Sequence, residues 1–261
     1  MLPNSKLPRL AIKRLGVVSR NYEHKYKNGL RDFSLAMPEI LSLLDERQCD
    51  AALFSLYSVI PRGEFDVAAT LSKLKNLKAV FLEEFEDTEP RRVIRYLVYH
   101  NDVDFWQRYE FHQQFATITG MSRNKVLSFV AAEMPKRILG NCAVLICGES
   151  NGVKYFKRDQ EVHDTFGMAA SIPSDVSIIL NPVHDRMTRF EMNMKRAFLS
   201  KNARWVVSVW NKGKRDKNGT VKDGVEPAWT VYHNGAKIPV VPISNHLDIE
   251  IGILDATARQ D

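Results

Sequence analysis

Asn141 to Gly152 reads NCAVLICGESNG, a short apolar run that stops abruptly at the polar turn Gly148-Glu149-Ser150-Asn151-Gly152. An apolar run of this length without alternation fits a strand buried on both faces, and the glycine-bounded turn ends it. The same pattern recurs on both sides. Upstream, Leu10 to Ser19 (LAIKRLGVVS) and Asp50 to Val59 (DAALFSLYSV) are strand-like, and Phe33 to Gln48 between them spaces Leu35, Ile40, Leu43 and Leu44 as one helix face behind the cap Asp32. Pro38 falls near the start of that helix, where it is tolerated. Phe65 to Lys75 reads as a second helix, Leu77 to Glu83 and Val93 to His100 as strands, and Asp104 to Pro135 as an irregular excursion. Downstream follow a short helix at Val162 to Ala170, a strand at Val176 to Asn181 and a helix at Thr188 to Ala203 with Phe190, Met194, Ala197 and Phe198 on one face. Strands at Trp205 to Trp210 and Ala228 to His233, an Asn234-Gly235 hairpin turn and a last strand at His246 to Asp255 complete the chain. Alternation of strand and helix from end to end means an α/β fold.

Composition sets the limits. The 261 residues are 44% hydrophobic and 26% charged, enough for one large domain burying about three quarters of its unfolded surface. No internal repeat or second domain is visible. No run approaches the roughly twenty apolar residues of a membrane span, and the N-terminus, broken by Pro3 and Pro8, lacks a signal-peptide core. The expectation is a cytoplasmic protein with no membrane partner. Three cysteines, Cys49, Cys142 and Cys147, contain no Cys-x-x-Cys pair, so free thiols are the default. The net charge of +6 is concentrated between Arg186 and Lys222, where basic residues far outnumber Glu191 and Asp216. Such a stretch is either a solvated face or a surface for nucleic acid or another polyanion.

The familiar phosphate-loop, dinucleotide, zincin and serine-hydrolase motifs are all absent from the sequence. Cys147 stands out instead. It ends a buried strand and is followed directly by glycine, the exposure a nucleophile needs, although a lone cysteine more often packs as a small hydrophobe. Glu149 follows two residues later, either orienting the turn by accepting backbone hydrogen bonds or contacting a substrate cation. His184 and Asp185, after Asn181-Pro182, belong at the mouth of the same cleft as ligand contacts or as a solvated pair. No third ligand at a defined spacing supports a metal there.

Taken in order, LAIKRLGVVS, DAALFSLYSV, CAVLICGESN, DVSIILNPVHD, the segment Phe190 to Gly213 and DIEIGILD resemble the successive elements of the nitrilase superfamily of carbon–nitrogen hydrolases. Leu145-Ile146-Cys147-Gly148-Glu149 resembles that family's nucleophile strand and Ile179-Leu180-Asn181-Pro182 its following strand, while Arg196, Ala197 and Asn202 match its Arg-Ala-x-x-x-x-Asn helix. The resemblance implies a single nitrilase-like α-β-β-α sandwich completed by dimerisation, no cofactor, and a small amide-like substrate. It places Cys147 as the nucleophile. In the family a glutamate takes the thiol proton, a lysine stabilises the developing charge, and water hydrolyses a thioester. Here Phe54-Ser55-Leu56-Tyr57 puts a leucine where the glutamate is expected. Glu64 lies downstream, and Glu83 and Glu84 belong to the next strand. The lysine position falls on Glu110 or Gln114, with Lys125 the first lysine beyond. The expected catalytic set is therefore Cys147 with Glu110 and Glu149, and the expected substrate contacts are Asn181, His184 and Asp185. The competing expectation is a catalytically silent scaffold that binds a ligand, a protein or a polyanion.

Overall fold

The computed structural model describes residues 10–21, 34–59, 67–85, 94–102, 105–116, 123–184, 188–213, 218–221, 227–246 and 249–257. Its strands are β1 (Arg14–Arg20), β2 (Ala51–Phe54), β3 (Ala79–Phe85), β4 (Ile94–Asp102), β5 (Phe105–Phe111), β6 (Ile138–Leu139), β7 (Cys142–Val144), β8 (Lys154–Phe156), β9 (Glu161–His163), β10 (Ile178–Pro182), β11 (Trp205–Val209), β12 (Trp229–His233), β13 (Ala236–Ile238), β14 (Pro242–His246) and β15 (Ile249–Asp255). The α-helices are α1 (Met37–Glu46), α2 (Val67–Leu71), α3 (Arg123–Ser128), α4 (Met168–Ser171) and α5 (Phe190–Leu199). Among the described residues the strands form a seven-stranded sheet in the order β14-β15-β1-β2-β3-β4-β5, a six-stranded sheet in the order β13-β12-β11-β10-β7-β6, and the hairpin β8-β9. The centre of each large sheet is parallel: β1, β2 and β3 in the first, β7, β10 and β11 in the second.

Strand alternation sorts the core into layers. Leu15 and Val17, Ala51 and Leu53, Ala79 and Phe81 meet Cys142 and Val144, Ile178 and Leu180, and Trp205, Val207 and Val209 in one cluster between the sheets. The intervening residues point outward: Val18, Ala52, Phe54, Val80 and Leu82 pack under Met37, Ile40, Leu41 and Leu44 of α1. On the far side Ala143, Leu145, Ile179 and Val206 pack with Val126 of α3, Met168 of α4 and Leu199 of α5. The layers are thus helix, sheet, sheet, helix. Among the described residues no helix is long and apolar enough to cross a membrane.

An asparagine or its neighbours clasp the sandwich at each rim. Asn141 accepts from the Ile12 amide at 2.8 Å and donates to the Ile12 carbonyl at 2.9 Å. At the opposite rim, where the parallel strands end, Asn211 accepts from the Ser55 hydroxyl at 2.6 Å and donates to the Leu56 carbonyl at 2.7 Å. Beside it the Ser19 hydroxyl donates to the Trp210 carbonyl at 2.6 Å.

The structure departs from the sequence reading in several places. Residues 105–111 of the supposed excursion form β5, paired antiparallel with β4, because Tyr109 and Phe111 turn to the inter-sheet core while Trp106 packs outward. Val162 to Ala170 is not one helix but the end of the β8-β9 hairpin followed by α4, separated by Gly167 at φ +70°. In α5 the buried residues are Met192, Lys195, Arg196 and Leu199, whereas Phe190 is 62% exposed. The long stems of the two basic residues supply the packed face there, so an apolar count selects the wrong stripe. The supposed cap Asp32 lies outside the described residues. The Asn234-Gly235 turn holds, with φ +47° and +88° joining β12 to β13.

Leu180 is fully buried between the sheets. Leu180→Ala is expected to destabilise the domain by about 2–5 kcal/mol, measured by urea unfolding monitored by tryptophan fluorescence.

Candidate functional site

The rim where both sets of parallel strands end is where polar groups enter the inner-face rows, and crevices outside the carboxyl ends of parallel strands are common ligand sites. On β3 the inward row Ala79, Phe81 continues to Glu83, which is 1% exposed. From β10 the row Ile178, Leu180 and the buried Pro182 continues past the strand to His184. After β7 the chain breaks its alternation: Cys147 takes φ +48°, opens a 3-10 turn running to Gly152, and packs partly buried against Val183, Trp210 and Ala228. A non-glycine residue at positive φ is uncommon and here turns the thiol toward the rim.

These three groups form a chain. The His184 ring nitrogen Nε2 lies 3.1 Å from Glu83 Oε2, and Cys147 lies close enough to act on the same imidazole. Burial acts to lower the imidazole, but the hydrogen bonds to Cys147 and Glu83 outweigh it and push His184 up to about 9. The imidazole is therefore held in its charged form near neutral pH, between a carboxylate and a thiol. The Tyr57 ring lies against His184, tilted by 42° with centroids 4.2 Å apart, and the Tyr57 backbone amide donates to Glu83 Oε2 at 2.6 Å.

The turn that carries Cys147 has its own anchor. Glu149 is fully buried and accepts from the Ile146 amide at 2.7 Å, the Gln114 amide at 2.7 Å and Arg137 Nη1 at 2.8 Å. Burial pushes its carboxyl up to about 7 against the pull of Arg137 and the two amides. Arg137 also donates to the His112 carbonyl at 2.6 Å. Segment 112–116 is thus strapped across the turn, so closely that a Cβ on Gly148 would lie 1.8 Å from the Ala116 carbonyl oxygen.

Sequence reasoning placed several residues here that sit elsewhere. Glu110 is directly opposite Leu97, on the outward face of the first sheet, and pairs with His112 at 3.3 Å. Its neighbours Tyr109 and Phe111 are the ones turned into the inter-sheet core that Cys147 also packs against, and Glu110 points to the other face. The Asn181 amide donates to the Leu145 carbonyl at 2.6 Å and the Cys147 carbonyl at 3.1 Å, and its oxygen accepts from Ser208 at 2.9 Å. It holds the backbone of the turn that carries Cys147. The contacts of Glu149 likewise run to Arg137 and backbone amides. Lys125 is exposed on α3. Asp185 and Glu64 lie outside the described residues. Glu83, set aside because it lies on the next strand, is the residue the sequence reading missed. Counting by twos from Ala79 and from Ile178 reaches Glu83 and His184, and that was the available signal.

Among its described residues the basic stretch holds both occupied and exposed side chains, Arg189 and Lys201 being exposed. Lys195 donates to Asn151 Oδ1 at 2.7 Å, Arg204 donates to the carbonyls of Ile172 and Pro173, Arg196 is buried, and Lys212 pairs with Glu250. Arg186, Lys214, Arg215, Lys217 and Lys222 lie outside the described residues. Among the described residues no group of three or more His, Cys, Asp or Glu could hold a metal ion.

No family model and no curated protein matches the sequence. Solved structures do. A glutamine-dependent NAD(+) synthetase from Cytophaga hutchinsonii is similar over 94% of this chain and 43% of that one, with a TM-score of 0.50 and 11% identity, so this chain spans less than half of it. A carbon–nitrogen hydrolase from Helicobacter pylori is similar over 95% of this chain and 90% of that one, with a TM-score of 0.49 and 12% identity. A Cys-to-Ala mutant of an amidase from the nitrilase superfamily of Nesterenkonia AN1 covers 96% and 94%, with a TM-score of 0.49 and 10% identity. The chain has a nitrilase-like α-β-β-α fold. At this level of identity the likeness concerns fold alone.

Because His184 is raised to about 9 from an ordinary value near 6.5, its contribution to stability is complete below pH 6.5 and is lost as pH rises through 9. Urea unfolding should show a loss on the order of 3 kcal/mol between those limits, and His184→Gln should flatten that part of the profile.

Proposed function

We propose that the protein is a thiol hydrolase acting on a small amide or other non-peptide C–N bond, with Cys147 as nucleophile, His184 as proton carrier and Glu83 as the group that orients and charges the imidazole. The observation that supports this reading is the contact chain from Cys147 through His184 to Glu83 at the carboxyl ends of the parallel strands. Nucleophile, base and orienting group in sequence are what thiol catalysis requires. The thiolate adds to the substrate carbonyl carbon, and the imidazolium gives its proton to the departing amine nitrogen as the C–N bond breaks. Water then attacks the thioester, His184 takes one of its protons, and the C–S bond breaks to release the carboxylic acid and return the thiolate beside a charged imidazole. The positive charge that a lysine provides in the nitrilase superfamily is supplied in this scheme by His184 itself. Asn181, Glu149 and Arg137 serve it indirectly, by fixing the backbone from which Cys147 projects.

The neighbouring cysteines are internal controls. Burial pushes Cys49 up to about 11, and burial raises Cys142 further still. In mass-spectrometric alkylation at pH 6, Cys147 is expected to react at least about tenfold faster than either. It should also prefer iodoacetate over iodoacetamide, since the imidazolium attracts the anionic reagent, and that preference should fade as pH passes about 9. Among small primary amides offered as substrates, His184→Gln and Cys147→Ser are each expected to lower turnover by about a hundredfold or more. Reactivity of Cys147 no faster than an ordinary thiol, without reagent preference, would sink the hydrolase reading and leave the silent scaffold.

A further inference from the structure

Tyr57 touches two of the three groups in the chain, and it does so from a backbone conformation that a bulky aromatic side chain rarely adopts. Its φ is +56°. Residues confined to that region persist only where their surroundings over-determine them, and they cluster at functional sites. Here the confinement is visible from both sides. On one side the turn wraps Glu83: the amides of Ser58 and Val59 both donate to the Glu83 carbonyl at 3.0 Å, the Glu83 amide donates to Ser58 Oγ at 3.0 Å, and the Tyr57 amide donates to the Glu83 carboxylate. On the other side Asn211, from the opposite sheet, takes the Leu56 carbonyl and the Ser55 hydroxyl. Between these anchors the Tyr57 ring is set against His184 at 4.2 Å and 42°, and against Phe85 at 5.1 Å.

Building on the hydrolase reading above, we propose that Tyr57 is a positioning residue for the reacting pair, its strained turn fixing the Glu83 carboxylate through the backbone and its ring face holding His184 in the charged form. The groups facing His184 are Glu83 from β3, Cys147 from the turn after β7, the Tyr57 ring from the turn after β2, and Asn211, whose amide side chain lies 3.4 Å from the His184 carbonyl. Glu83 brings a carboxylate and Cys147 a thiol, and the Asn211 amide meets the His184 carbonyl. Among the described residues the Tyr57 ring, tilted by 42° to the imidazole, is the remaining contact, and an aromatic ring attracts a cation most strongly where water is excluded. The stretch Phe54-Ser55-Leu56-Tyr57 lacks a carboxylate of its own, and through this turn it acts on one borrowed from the neighbouring strand.

The test uses the full chain and the paired iodoacetate and iodoacetamide reaction at Cys147 across pH, with thermal unfolding as a check on folding. Tyr57→Asn keeps a residue that accepts positive φ and removes the ring. It should lower the iodoacetate preference at pH 7 about threefold to tenfold and bring the pH at which that preference fades down by up to about one unit. Tyr57→Phe should follow the parent. If Tyr57→Asn does not fold, Tyr57→Gly, which accepts positive φ without strain, makes the same comparison. A ringless variant indistinguishable from the parent would overturn the proposal while leaving the hydrolase reading intact. Equal losses in Tyr57→Phe would overturn it as well, by assigning the effect to the hydroxyl. A parent protein whose Cys147 shows no preference and no enhanced rate would remove the hydrolase reading, and the role of Tyr57 with it.

Discussion

Two sheets that bury their inner faces against each other leave one kind of place for polar chemistry, the rim where the inward rows run out of apolar residues. Six parallel strands end at that rim, and five of the six inward rows run on to a polar residue. Leu15 and Val17 lead to Ser19, Ala51 and Leu53 to Ser55, Ala79 and Phe81 to Glu83, Ile178, Leu180 and Pro182 to His184, and Val207 and Val209 to Asn211. Cys142, Val144 and Ile146 lead instead to Gly148, and there the positive φ of Cys147 moves the reactive group one place along. The period of two in an extended chain therefore positions the candidate site as firmly as it positions the core.

Burial opposes the charged form at both buried acid–base clusters but prevails at only one of them. At the Glu149–Arg137 pair every hydrogen bond runs to backbone or to the partner charge, and desolvation pushes the carboxyl up while it lowers the guanidinium. Such a pair contributes little net stability, but breaking it would strand a buried charge, so it fixes geometry at the turn and strap it joins. At His184 the hydrogen bonds and the negative partners outweigh desolvation. The first cluster stiffens the nucleophile turn and the second sits beside the thiol. Their separation lets Cys147 lie on a rigid backbone without being locked into an ion pair of structural purpose.

The alternation of strands and helices was legible in the sequence because apolar periodicity is a direct record of burial, whereas the layer order was implied by the resemblance to the nitrilase superfamily. The misreadings have physical causes. β5 was hidden because an edge strand alternates aromatic with charged residues, and Glu110 was then assigned to the wrong face. The packed stripe of α5 was hidden because Lys195 and Arg196 bury their stems. Cys147 was legible from a strand end followed by glycine, and His184 from its place after Asn181-Pro182. Glu83 was not, since motif spacing searches along one loop and the carboxylate arrives from the adjacent strand. Asn181 was read as a ligand contact because a polar residue at a strand end suggests one, whereas its hydrogen bonds hold the turn beneath the thiol.

The turn after β2 explains how a site can keep its place while its residues change. A base supplied by that turn would have to project from position 56, but Leu56 points into the inter-sheet core and its carbonyl is held by Asn211. The same turn instead presents backbone amides outward, and amides bind a carboxylate wherever the neighbouring strand delivers one. Glu83 meets that condition because β3 runs parallel to β2 and extends beyond it, so its last inward residue arrives beside the turn. His184 meets the carboxylate from the other sheet, at the one rim where the two sets of parallel strands end together. A chain of acid, imidazole and thiol is thus what these strand lengths allow, and it uses contacts the sandwich already makes.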